Sequence, residues 1–119
     1  MRDPVPMATD RLVVAHDIDD VGGIGGVVWS LPHDGDLDGN LVRLAADRII
    51  DEHVNDDVDV LVVCREGDGT LVVDGERHEL TARSIALIPR SASRSIAAGS
   101  DGIAYLSIHR HRDGLTIGT

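Results

Sequence analysis

VDVLVVCREGDGTLVVDGERHEL, residues 58–80, sets short aliphatic runs between clusters of Gly and Asp. Val58–Val63 is an apolar run interrupted only by Asp59, and Gly69–Val73 is a second one beyond the segment EGDG. Short runs rich in Val and Leu, bounded by Gly and Asp, read as strands, and these two are predicted to pair as a hairpin across EGDG. Asp74-Gly75 follows, a dipeptide that suits a tight two-residue hairpin because Gly takes positive φ at no steric cost. Arg77–Leu80 is then the return strand.

The same rhythm continues outward. Ser84–Ile88 ends at Pro89, Arg94–Ala97 ends at Gly99, and Gly102–His109 completes the series. On the N-terminal side, Leu41–His53 reads as one long or broken strand. Residues 43–53 (RLAADRIIDEH) also compete for helix through Ala-Ala-Asp-Arg, but Ile49-Ile50 argues for strand. Gly26–Leu31 is a strand ended by Pro32 and the loop HDGDLDGN, Arg11–His16 is a first short strand, and residues 1–10 are a loose leader. Some nine or ten short strands at intervals of roughly ten residues predict an all-β sandwich or barrel.

Composition agrees. The chain has 119 residues, the size of one domain, and its apolar side chains are aliphatic: 14 Val, 11 Leu, 10 Ile and 10 Ala against Trp29, Tyr105 and no Phe. All 11 basic residues are Arg, a bias fitting a GC-rich bacterial genome, and 21 acids bring the net charge to -10. That field repels nucleic acid and anionic lipid, so neither is expected as a partner. Cys64 is the single cysteine, which excludes an internal disulfide and any CxxC pair. The N-terminal MRDPVPMATD lacks the basic-then-apolar order of an export signal, and no apolar run approaches the roughly 20 residues of a membrane span. A cytoplasmic protein is expected.

Between Asp47 and Ala98 the chain resembles the cupin superfamily of small double-stranded β-helix (jelly-roll) barrels. The first motif of that family offers HxH and then a Glu, and here reads His53-Val54-Asn55 and then Asp59, with Gly67 one place beyond the family's glycine. The second motif offers Gly, Pro, Gly and His, and here reads Arg83, Pro89, Ser91 and Arg94. Residues two apart on a strand share a face, so the family's ligands converge on one inner wall. The resemblance implies a cupin-like barrel over residues 41–119, with residues 1–40 as an arm and edge strands packed on it. It also implies a homodimer, since small cupins often pair through sheet edges. The four ligand positions become His53, Asn55, Asp59 and Arg94, and a guanidinium has no lone pair for a metal.

Three functions follow. The favoured one is a metal-free or metal-poor pocket lined by His53, Asn55, Asp59 and Arg94 that binds a small, anionic molecule, because Arg forms a bidentate fork for carboxylate or phosphate. The second is a cupin enzyme of oxygenase, isomerase or epimerase type. It would hold a divalent transition metal on His53, Asn55 and Asp59, or use His53 and Asp59 for acid–base catalysis. The third is a dimeric interaction module in which the same polar residues form a structural salt bridge.

Other features read mainly as structure. Asp34-Gly35-Asp36-Leu37-Asp38-Gly39 begins like a calcium loop, but its twelfth position is Ala45 where a bidentate Glu is needed. His109 and His111 could share a metal with His53, although Arg110 and Arg112 interleave with them and an exposed strand end explains them as well. Gly22–Gly26 is a flexible loop without the dinucleotide-binding spacing, Cys64 is a strand residue, and Arg83, Arg90 and Arg94 suggest a basic rim or ordinary surface pairing.

Overall fold

Two long strands shape the molecule. In the structure, a computed structural model that describes residues 15–32 and 35–111, β4 spans Val60–Val73 and β7 spans Ser93–Arg110, at 14 and 18 residues. A strand in a small domain usually has about 5–6 residues, so a core this size forces both to bend. The bend lies where β4 and β7 cross most closely. Gly67 has φ 73° and Gly102 has φ 77°. A Cβ on Gly67 would lie 2.0 Å from the Gly102 carbonyl oxygen, which leaves no room for any side chain. The β4–β7 register shifts beside it, between Cys64 and Glu66 and again between Gly67 and Gly69.

Five shorter strands join these two: β1 (Gly26–Ser30), β2 (Leu37–Leu44), β3 (Ile49–Val54), β5 (Glu76–Thr81) and β6 (Ile85–Ile88). All pairings are antiparallel. On one side of the bend the order is β1-β2-β7-β4-β6, a first wall. On the other side β3 and β5 flank the remaining halves of β7 and β4, a second wall. Val42, Tyr105, Cys64 and Val62 of the first wall share one buried cluster with Ile96, Leu71 and Leu80 of the second, so the walls face each other. Each fully buried aliphatic of this cluster contributes about 1.5–3 kcal/mol.

The all-β reading holds, and among the described residues there is no α-helix, hence none long and apolar enough to cross a membrane. Several segments differ from expectation. EGDG is a bend inside β4 rather than a hairpin turn, because its glycines let two backbones touch. Arg94–Ala97 and Gly102–His109 are likewise one strand, and the merging leaves seven strands among the described residues. Leu41–His53 divides at Ala45–Arg48, where the Arg48 N–H donates to the Ala45 carbonyl at 3.1 Å and Asp47 takes φ 65°. β2 starts at Leu37, inside the expected loop and across the expected boundary at 40/41.

The Asp74-Gly75 turn forms as expected, with φ 49° and 84°, and the Asp74 carboxylate accepts from the Ser93 N–H at 2.9 Å. Of the first short strand expected at Arg11–His16, residues 11–14 lie outside the described residues, as does the leader. Ala15 and His16 are not in a strand. Instead a 3-10 turn at Ile18–Asp20 follows, its cap Asp17 accepting from the Asp19 N–H at 2.9 Å.

Candidate functional site

Cross-strand register sets what faces the interior of the second wall. His53, Arg94, Val73 and Glu76 stand in one row across β3, β7, β4 and β5. Ile50, Ile96, Leu71 and His78 form the next row, and Ala98, Gly69 and Leu80 the one nearest the bend. Side chains in register share a face, so an apolar wall ends in a row that carries a cation.

That cation is buried. Arg94 is only 5% exposed, the one charged residue buried among those described. Its Nε donates to the Ala92 carbonyl at 3.3 Å, and its Nη2 has no hydrogen-bond partner among the described residues. Among the described residues no carboxylate forms an ion pair with it, and burial pulls its pKa below the usual arginine value. A guanidinium stays charged regardless. A buried unpaired charge costs several kcal/mol, so it is a group with an unmet demand for an anion. Beside it, Val73 belongs to the lining of a cleft of about 470 Å³ between β5 and β6, with Leu71, Leu80, Ala86 and His78. His78 Nε2 stands 3.9 Å from Glu76.

The four residues expected to share the pocket divide. His53 and Arg94 are cross-strand partners, but His53 is exposed, with Nδ1 2.9 Å from the Asp51 carbonyl oxygen. Asn55 is committed to a turn: its side-chain oxygen accepts from the Asp57 and Val58 N–H groups at 2.8 and 3.3 Å. Asp59 is exposed and accepts from the Arg90 N–H at 2.8 Å. The phase of the strand explains this, since Val58, Val60, Val62 and Cys64 are the buried alternation and Asp59 falls on the opposite face. A Coulombic link between Arg94 and Asp59 is therefore absent.

These residues do not fit a metal. One is a permanent cation, one has its oxygen engaged by two N–H groups, one faces outward, and Val60 supplies no donor on the inner face. Among the described residues no three His, Cys, Asp or Glu are placed to hold one. His109 and His111 gather at Asp38, with Nδ1 atoms 4.0 and 3.0 Å from its oxygens, and His53 does not join them; Arg112 and Asp34 lie outside the described residues.

The rest of the expected rim disperses. Arg83 and Arg90 are exposed and only Arg94 turns inward. Cys64 is buried, burial pushes its thiol pKa up, and its Sγ lies 3.8 Å from the Glu66 carbonyl oxygen, an inert setting. Gly22–Gly26 leads into β1, the Gly25 N–H donating to the Arg43 carbonyl at 2.8 Å. Sequence reasoning passed over Val73 and His78. The signal was the alternation Glu76, His78, Leu80 on the return strand, which puts His78 on the same face as a core leucine.

Arg83 and Ser91, at the two glycine positions of the second motif, have φ 83° and 73°. Both positions take the left-handed geometry that favours glycine.

No family model and no curated protein matches the sequence. Solved structures do match. The cupin domain of Cnp3 from Schizosaccharomyces pombe superposes with a TM-score of 0.75 at 14% identity, over 85% of this chain and 76% of that one. KdgF from Halomonas sp. gives 0.69 at 16% identity, over 79% and 88%. A cupin protein from Bacteroides fragilis gives 0.61 at 25% identity, over 71% and 74%. The bent pair of long strands, the two facing walls and these superpositions agree, and the chain has the jelly-roll fold of the cupins.

Proposed function

We propose that the protein binds a small carboxylate with an apolar body, without a metal, its anionic head on Arg94 and its body in the cleft between β5 and β6. One observation carries this reading: Arg94 is 5% exposed and, among the described residues, has no carboxylate partner and leaves Nη2 unbonded. A carboxylate meets both demands at once, because it neutralises the charge and accepts from the guanidinium fork. His53, the cross-strand neighbour of Arg94, adds no competing negative charge. The aliphatic lining by Leu71, Val73 and Leu80 favours a hydrocarbon tail. Cys64, the single buried thiol, is compatible with the reducing cytoplasm expected above.

Acid–base catalysis by His53 beside Asp59 has no geometric support, because Asp59 lies on the outer face and bonds to the Arg90 N–H.

The test is thermal unfolding with straight-chain monocarboxylates from acetate to octanoate, each compared with its primary alcohol. Carboxylates should raise Tm and alcohols should not, by several degrees once the ligand is at about 100 times its Kd. Arg94→Met should remove the response. Equal effects of acid and alcohol, or an unchanged response in the variant, would overturn the reading.

A further inference from the structure

Each wall ends in two strands that pair on one side alone among the described residues: β1 and β6 close the first, β3 and β5 the second. An open strand edge invites another chain to pair with it, and proteins guard such edges with charge or a bulge. Three of the four are guarded. β1 has a register shift between Val27 and Trp29, β3 has one between Ile50 and His53 and carries Asp51 and Glu52, and β5 carries Glu76, Arg77 and Glu79. β6 has neither device: Ile85–Ile88 is uncharged and stays in unbroken register with Val60–Val63. Alternate N–H and C=O groups of β6 face away from β4, and among the described residues no backbone group outside β4 bonds to this strand. Its outward side chains, Ile85 and Leu87, are 67% and 62% exposed, and they end two aliphatic rows that run back over Val63 and Leu106 and over Leu61 and Ile108.

This unguarded edge borders the cleft that takes the body of the ligand. Ile85, Ala86 and Leu87 line one side of the cleft, and His78, Glu79 and Leu80 the other. Deeper in, Val73 stands beside Arg94. From the strand of Arg94 to β5 is two strand spacings, about 10 Å, the length of about three extended residues.

We infer that the ligand is the C-terminal end of a peptide. Its last three residues lead from the edge to Arg94, which takes the terminal carboxylate, and the residues before them add a strand to β6. This rests on the carboxylate reading above and names what carries the carboxylate. A simple carboxylate satisfies Arg94 and leaves the β6 edge unused. A peptide end satisfies both, through charge at its tip and main-chain hydrogen bonds behind it. An Asp or Glu side chain on a strand at β6 is too short to span the same distance. The four residues of β6 restrict the added strand to a short segment. The net charge of -10 and Glu79 at the mouth favour neutral or basic residues upstream, and Ile85 and Leu87 favour aliphatic ones beside them.

Isothermal titration of the full chain with the acetylated hexapeptide Lys-Thr-Val-Thr-Ala-Val tests it. The free acid should bind at least tenfold more tightly than its C-terminal amide, and than isovalerate, which is the last residue without its main chain. N-methylation of successive upstream amides should alternate in effect, about tenfold where the N–H faces β6 and little where it faces away. Leu87→Lys, which puts a guarding charge on an exposed position of the edge, should weaken the peptide about tenfold and leave octanoate unchanged. A free-acid peptide no tighter than isovalerate, N-methylation without alternation, or equal peptide binding by Leu87→Lys would each overturn the inference. If octanoate still raises Tm in those cases, the carboxylate reading stands without it; if neither acid acts, that reading falls as well. A wild type that sediments as two copies and becomes one in Leu87→Lys would also overturn the inference, by giving the edge to a second copy.

Discussion

Arg83 and Ser91 stand at φ 83° and 73° without being glycine. Left-handed backbone costs an L-residue about 1–2 kcal/mol, partly offset in a glycine variant by the greater entropy of its unfolded chain. Arg83→Gly and Ser91→Gly should each stabilise the protein by about 0.5–1 kcal/mol, read from the midpoint of urea unfolding. Arg94 makes a sharper case. If its charge is retained for a ligand, the ligand-free protein is less stable for having it, and Arg94→Met should raise stability by about 1–3 kcal/mol. A loss on that substitution would mean that Arg94 holds the barrel together. Tyr105, 4% exposed, has its hydroxyl pKa pushed up from 10.0 to about 12 by burial. The unfolded chain then loses this proton first, so stability is complete below about pH 10 and declines between about pH 10 and 12, by about 2–3 kcal/mol at most. Tyr105→Phe should remove that part of the alkaline slope in denaturation curves measured across the range.

At the scale of elements, glycines in similar sequence contexts do different work, and this decides what could be read in advance. Asp74-Gly75 was legible because a two-residue turn is local chemistry: both residues need positive φ and the dipeptide supplies it. EGDG and the segment around Gly102 look like turns as well, but their glycines meet each other, 35 residues apart in the chain, and no local rule reports such an approach. A hairpin at EGDG and a break between two strands at Gly99–Gly102 were therefore expected where two long strands bend. The same limit moved Asp59 out of the site. One position of strand phase separates it from Val60, and only the paired register reveals which of the two faces the core. Arg94 was legible because Pro89 anchors its motif. The difference between the two kinds of glycine is measurable. Gly75→Ala meets no atom within 4 Å and should cost about 1 kcal/mol from φ alone. Gly67→Ala must displace the Gly102 backbone as well and should cost about 3 kcal/mol or more, enough to show as a fall in soluble yield and in the urea midpoint.

For the molecule as a whole, the charge of -10 sets long-range behaviour, while the outward face of the first wall sets two aliphatic rows between rows that carry Arg43, Glu66, Asp59 and Arg110. The two act against each other in self-association. The aliphatic rows favour contact, and the acids elsewhere on each copy repel across the whole assembly. Screening separates these contributions, because the Debye length falls from about 30 Å at 0.01 M salt to about 8 Å at 0.15 M. At the lower value only charges at the rim of the face still sense the partner. Any self-association driven by the aliphatic rows should therefore strengthen about tenfold over that range, measured by sedimentation at both ionic strengths, and sulfate should strengthen it further by favouring apolar burial. An interface built on ion pairs between the copies would weaken with salt instead. The sign of the salt dependence thus tells whether the apolar face or the charged surface joins two chains.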